Sequence, residues 1–252
     1  MKIKLCHLYP DLLDLYGDRG NIMALSARAH WRGLDLEVQR VSLGEKIDFQ
    51  SLDILFIGGG SDREQNILVQ DLMDRVDDFK AAIDDGLVVL TICGGYQLLG
   101  KYYQTAEGRN IPGLGILDLW TVAGTNRLIG NVVIDLDSED LSSGSDCVRL
   151  STLVGFENHS GRTYLGNNLK PLGKVIHGHG NNGEDYGEGM RYKNVFGTYL
   201  HGPLLPKNPH FADLLLRLAM ERRGLTEPLS LLDDELEELA HQTVLQRIIG
   251  KM

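Results

Sequence analysis

The chain has 252 residues, a formal charge of −10 and 42% apolar residues. That apolar share closes a sizeable core and excludes a disordered chain, while the acidic balance argues against a nucleic-acid-binding role, because such a surface repels phosphate backbones. Thirty glycines without a Gly-X-Y period exclude a collagen-like chain and mark tight turns or places where backbone approaches something closely.

Ile3–Leu8 reads as a strand and Asn21–Trp31 as a helix, with Ile22, Leu25 and Ala29 on one face. Strands follow at Leu36–Val41 and Asp53–Ile57, then a helical period over Gln65–Asp84 carried by Leu68, Leu72, Val76, Phe79 and Ile83. Leu87–Ile92 is a near-continuous apolar run, the pattern of a strand buried on both faces. The alternation predicts an α/β fold with a doubly wound, mostly parallel sheet that binds ligands at the carboxyl ends of its strands.

From Gly113 to Leu200 the runs are short and β-like: Leu117–Val122, Asn131–Leu136, Lys174–Ile176 and Val195–Leu200. Polar turns join them, notably Gly178–Gly189, and the pattern predicts an antiparallel extension of the same sheet. Two helices close the chain, at Phe211–Arg223 and Ser230–Ile249. In the second, Leu232, Leu236, Leu239, Leu245 and Ile249 form an apolar side, and the acidic run Asp233–Glu238 reads as a solvated face. Residues 1–225 are expected to form one domain, with 226–252 as a helix packed on that domain or on a partner.

No apolar stretch approaches the ~18 residues of a membrane span, and no charged leader precedes the first strand, so a cytoplasmic chain is expected. Cys6, Cys93 and Cys147 have no metal-type spacing, which predicts reduced thiols and no metal site. Among them only Cys93 follows a buried strand and precedes two glycines, in Leu90-Thr91-Ile92-Cys93-Gly94-Gly95-Tyr96. This is the layout of a nucleophile elbow, in which a sharp strand-to-helix turn exposes a nucleophile beside backbone N–H donors. Gly58-Gly59-Gly60 ends another strand, and its uncovered amides suit the far side of an oxyanion hole. A cysteine nucleophile needs a base: His201, in Gly197-Thr198-Tyr199-Leu200-His201-Gly202, and His159, in Gly155-Phe156-Glu157-Asn158-His159-Ser160-Gly161, both qualify. His177 and His179 lack an accompanying ligand set and read as structural.

These segments resemble the cobyric-acid-synthase-like class I glutamine amidotransferases. Within that family the likeness is greatest to the glutaminase subunits of lipid II isoglutaminyl synthases, through Tyr16-Gly17-Asp18-x-Gly20-Asn21, Gly58–Gln65, Thr125-Asn126-Arg127 and Tyr192-Lys193-Asn194. The resemblance implies that Cys93 is the nucleophile, that His201 is the base and acid, and that Arg127 holds the substrate L-glutamine. It implies an oxyanion hole from Gly94 with Gly59 or Gly60. It further implies a Mur-ligase-like partner subunit of the MurT type, forming a heterodimer. That partner would use ATP and magnesium to amidate the D-glutamate α-carboxyl of lipid II, at the inner face of the membrane. One departure stands out. The acidic residue that many class I members carry two positions after the histidine is Pro203 here, so either a Cys–His dyad operates or a carboxylate such as Glu157 substitutes. A related ammonia donor serving a cobyrinate-like acceptor, an inactive regulatory module and a cysteine peptidase are the competing readings.

Overall fold

The computed structural model describes residues 2–14, 17–60, 62–136 and 150–250; Tyr16, Ser61 and Cys147 lie outside these. The first sheet takes the order β11-β12-β4-β3-β1-β2, from β1 (Lys2–Leu8), β2 (Asp35–Val41), β3 (Ile54–Ile57), β4 (Val88–Ile92), β11 (Met190–Tyr192) and β12 (Val195–Thr198). All its pairings are parallel except β11 with β12. Every residue of β3, β4 and β12 is buried, as their unbroken apolar runs require, whereas the edge strand β2 is largely exposed. Burying each Val, Leu, Ile or Phe here stabilises the fold by about 1.5–3 kcal/mol.

Around this sheet lie α1 (Arg19–Trp31), α2 (Asp62–Met73), α3 (Val76–Asp84), α4 (Gly94–Leu98), α5 (Leu204–Lys207) and α6 (Pro209–Arg222). The single helix expected over Gln65–Asp84 is two. Arg75 leaves helical geometry at φ −118°, ψ 6°, and its guanidinium reaches the Glu45 carbonyl at 2.8 Å.

The antiparallel part is arranged differently from the expected extension. Only β11 extends the parallel sheet. The remaining strands build a second sheet of order β10-β9-β7-β5-β6, with β8 paired to β7. They are β5 (Tyr102–Gln104), β6 (Asn110–Pro112), β7 (Leu119–Leu136), β8 (Thr152–Leu165), β9 (Gly173–His177) and β10 (Gly187–Glu188). The long β7–β8 pair shifts register between Ala123 and Leu128. The two sheets meet at an antiparallel bridge between Phe156 of β8 and His201, which follows β12.

The last helix, α7, spans Glu235–Ile249 and starts later than expected. Its buried residues are His241 and Ile248, with Ile248 joining Val133 and Val154 of the second sheet. Leu236 and Leu239, expected on the apolar side, are exposed. The acidic run is not wholly solvated either. Asp234 accepts two hydrogen bonds of 2.7 Å from the buried Arg28 of α1, which also clasps Asp213 of α6.

Candidate active site

Cys93 stands between β4 and α4 with φ 51° and ψ −106°, a strained conformation for a residue with a Cβ and the one a nucleophile elbow demands. The small residues around it have a steric reason. A Cβ on Gly94 would lie 2.7 Å from the Gly60 carbonyl oxygen, and one on Gly95 would lie 2.7 Å from that of Gly58. The two glycine segments therefore pack backbone against backbone, as the sequence suggests. The Gly60 nitrogen is 2.9 Å from the same Cβ position on Gly94, so the Gly60 backbone lies against the residue that follows Cys93.

His201 is fully buried and interacts electrostatically with the Cys93 side chain. Its backbone is fixed in both directions to Phe156, at 2.7 and 3.3 Å. The carboxylate at its other nitrogen belongs to Asp18. Asp18 Oδ1 is 3.7 Å from His201 Nδ1, an ion-pair distance, and Oδ2 accepts the Gly59 N–H at 2.7 Å. A Cβ placed on Gly59 would lie 3.2 Å from His201 Cε1, 3.3 Å from Asp18 Oδ2 and 3.5 Å from Cys93 Cβ. All three side chains thus crowd one glycine. Burial pulls the His201 pKa down, but the hydrogen bonds and charges of Asp18 and Cys93 outweigh it and raise the pKa to about 9. The charged imidazolium is the form this environment favours.

Three expectations change as a result. Glu157 does not serve His201: its oxygens accept the His179 and Gly180 amides at 2.8 and 3.0 Å and hold the Gly178–Gly189 loop. The Gly59 N–H, expected as a possible oxyanion donor, is engaged by Asp18 instead. His159, the rival base, lies flat on Tyr199 with ring centroids 3.6 Å apart and has Nδ1 on the Gly161 carbonyl at 2.7 Å. Pro203 packs where an acid would otherwise stand, closely against Gly20, so the carboxylate arrives from the α1 side instead.

Sequence reasoning gave Asp18 no role, and it also missed a buried chain of polar side chains behind the elbow. Gln65 donates to Gln97 at 2.7 Å, Gln97 donates to the Tyr199 hydroxyl at 2.8 Å, and Tyr199, Thr163 and Thr121 continue the chain at 2.6 and 2.7 Å. Arg127 lies at the β7 register shift, exposed, with its guanidinium bonded to the Asn158 side chain and carbonyl at 2.8 and 2.9 Å. A separate cavity of about 730 Å³, lined by residues including Asn66, Tyr103, Arg109 and Ser160, does not have Cys93 in its wall. Cys6 is buried in β1, and desolvation pushes its thiol up to about 12, so it is inert at neutral pH. Among the described residues no group of three or more His, Cys, Asp or Glu is placed to hold a metal ion.

Solved structures with this fold include PurLQS from Thermotoga maritima (TM-score 0.55, 15% identity, 88% of this chain and 99% of that one). The glutaminase domain of Trypanosoma brucei CTPS is another (TM-score 0.52, 11% identity, 90% and 96%). In sequence the chain is 46% identical over 246 residues to the Staphylococcus aureus (strain N315) lipid II isoglutaminyl synthase (glutamine-hydrolyzing) subunit GatD, covering 98% of this chain and 96% of that protein. It is 43% identical over 223 residues to the Streptococcus pneumoniae subunit of the same name, covering 88% and 82%. A probable cobyric acid synthase of Methanothermobacter thermautotrophicus is 32% identical over 207 residues, which are 79% of this chain but 39% of that protein. Residues 4–209 match the CobB/CobQ-like glutamine amidotransferase domain, and the chain belongs to that family.

Proposed function

We propose that the chain is the glutamine-hydrolysing subunit of a lipid II isoglutaminyl synthase. The observation that carries this reading is the convergence of Cys93, His201 and Asp18 on Gly59, in a chain that matches the glutamine-hydrolysing subunit of Staphylococcus aureus over nearly its whole length. The Cys93 thiolate attacks the side-chain amide carbon of L-glutamine, and the Gly60 and Gly94 amides receive the oxyanion. His201 gives its proton to the departing nitrogen, which leaves as ammonia. It then takes a proton from the water that cleaves the thioester, and glutamate departs with the thiolate restored. Asp18 keeps the imidazole oriented and stabilises its charge through both steps, as the acid of a Ser-His-Asp triad does. Arg127 pairs with the α-carboxylate of glutamine, a role its planar fork suits once it exchanges partners with Asn158.

The ammonia passes to a Mur-ligase-like partner of the MurT type, which activates the D-glutamate α-carboxyl of lipid II with ATP and magnesium and yields D-isoglutamine. The pair works in the cytoplasm at the inner membrane face. No helix among the described residues is long and apolar enough to cross a membrane.

Glutamine hydrolysis by the wild type and by Cys93→Ala, with and without the partner, tests the reading. Activity should vanish in the variant, and wild-type turnover by Cys93→Ala refutes it. Arg127→Ala should raise KM more than it lowers kcat, and an unchanged KM removes its assigned role.

A further inference from the structure

The chemistry above leaves one buried acid unused. Glu188 of β10 is 1% exposed. Its Oε1 accepts the Thr198 hydroxyl at 2.6 Å and the Tyr199 amide at 2.7 Å, while its Oε2 makes no hydrogen bond among the described residues. Thr198 ends β12, and Tyr199 and Leu200 lead from it to His201. The Thr198 carbonyl receives the Cys93 N–H at 2.8 Å, and the Thr198 hydroxyl receives the Leu200 amide at 3.0 Å. The Tyr199 hydroxyl holds Gln97, one turn after the nucleophile. A single carboxylate oxygen therefore clamps the segment that touches the nucleophile at one end and carries the base at the other.

We infer that Glu188 is a positioning residue, whose Oε1 fixes the Thr198–His201 backbone and through it the alignment of Cys93 with His201. Burying a carboxylate with one idle oxygen is costly, and a fold that needed only packing here would use an apolar side chain. The groups facing Glu188 are Glu157 from β8, Tyr96 from α4 and Tyr199. Burial, with the charge of Glu157 adding to it, holds the acid at about 7 against the downward pull of the Thr198 hydroxyl and the Tyr199 and Gly189 amides. The clamp thus gains a proton near neutrality, which removes the charge that strengthens its two hydrogen bonds.

This inference rests on the proposed glutaminase reading for its kinetic arm alone. The test compares the full-length wild type, Glu188→Ala and Glu188→Gln. It reads glutamine turnover and, independently, the rate of iodoacetamide alkylation at Cys93 by peptide mass, from about pH 5.5 to 9. Glu188→Ala should lower kcat about tenfold with little change in KM and slow alkylation in proportion. Glu188→Gln keeps an acceptor oxygen and should recover most of that loss. The wild-type alkylation profile should show a step near pH 7 that Glu188→Gln lacks. A folded Glu188→Ala alkylated at the wild-type rate overturns the inference, as does a Glu188→Gln profile that superimposes on the wild type. If Glu188→Ala does not fold, the Glu188→Gln profile decides alone. Wild type that is alkylated readily but leaves glutamine intact overturns the glutaminase reading instead, and the alkylation arm still judges Glu188.

Discussion

Asp18 occupies the N-cap of α1 yet makes no side-chain capping bond; its oxygens go to Gly59 and His201 instead. An N-cap aspartate that does not cap forfeits about 1 kcal/mol of helix stability, so its placement here points to chemistry. Asp18→Asn should reduce kcat by about 10²-fold or more with KM little changed, by analogy with the neutralised acid of a catalytic triad. It should also move the basic limb of the pH–rate profile down. The sign follows from His201: its pKa is raised to about 9, so the charged ring persists below that pH, and removing the Asp18 charge lets burial pull the value lower. Gly59→Ala should lower turnover in a folded protein, because the new methyl would stand 3.2 Å from His201 and 3.3 Å from Asp18 and displace both. Cys93 and His201 were legible because each ends an apolar strand and meets a glycine. Asp18 was not, since its partner lies 183 residues further along the chain, and no local pattern announces which strand ends become neighbours. The general rule that parallel strands gather their carboxyl ends would have put the residues after β1 under suspicion.

Among the elements, α7 shows how far sequence periodicity reaches. The helix forms, but its docking is decided by polar anchors that an apolar count overlooks: Asp234 on Arg28, and His241 between the Thr152 hydroxyl and the Lys207 carbonyl, both at 2.9 Å. Asp234→Ala should cost about 1–3 kcal/mol, read as a lower denaturant midpoint, because Arg28 stays buried with one acid fewer. His241 meets His210 of α6 edge to face, at 5.6 Å between ring centres. Burial lowers both pKa values, that of His210 to about 3 with the neighbouring His241 adding to the shift. The folded state holds both rings neutral. Their contribution is therefore complete above the ordinary histidine value of about 6.5 and is lost as pH falls through the folded values. Corrected for the intrinsic exchange rate, amide protection in α7 should fall between pH 7 and pH 5 more than in β4, and an equal fall would refute this. The break at Arg75 was equally hidden, because Leu72 and Val76 keep helical spacing across it.

For the whole molecule, the α/β class and the parallel sheet were readable from strand–helix alternation and from strands apolar on both faces. The division into two sheets was not, because short β runs between Leu117 and Leu200 carry no mark of which neighbour they pair with. The chain should form a complex with an ATP-dependent Mur-ligase-type subunit and, with glutamine, amidate lipid II. Amidation of a cobyrinate-type acceptor in its place would redirect the assignment. The bridge between Phe156 and His201 bears on how such a complex would behave. His201, the proposed general base, is the pin joining the two sheets, whereas Cys93, the proposed nucleophile, is seated wholly in one of them. A proton transfer between sulfur and imidazole tolerates only a few tenths of an ångström of misalignment. A subunit leaning on the antiparallel sheet would act on that pin as a lever, retuning turnover without ever entering the glutamine pocket.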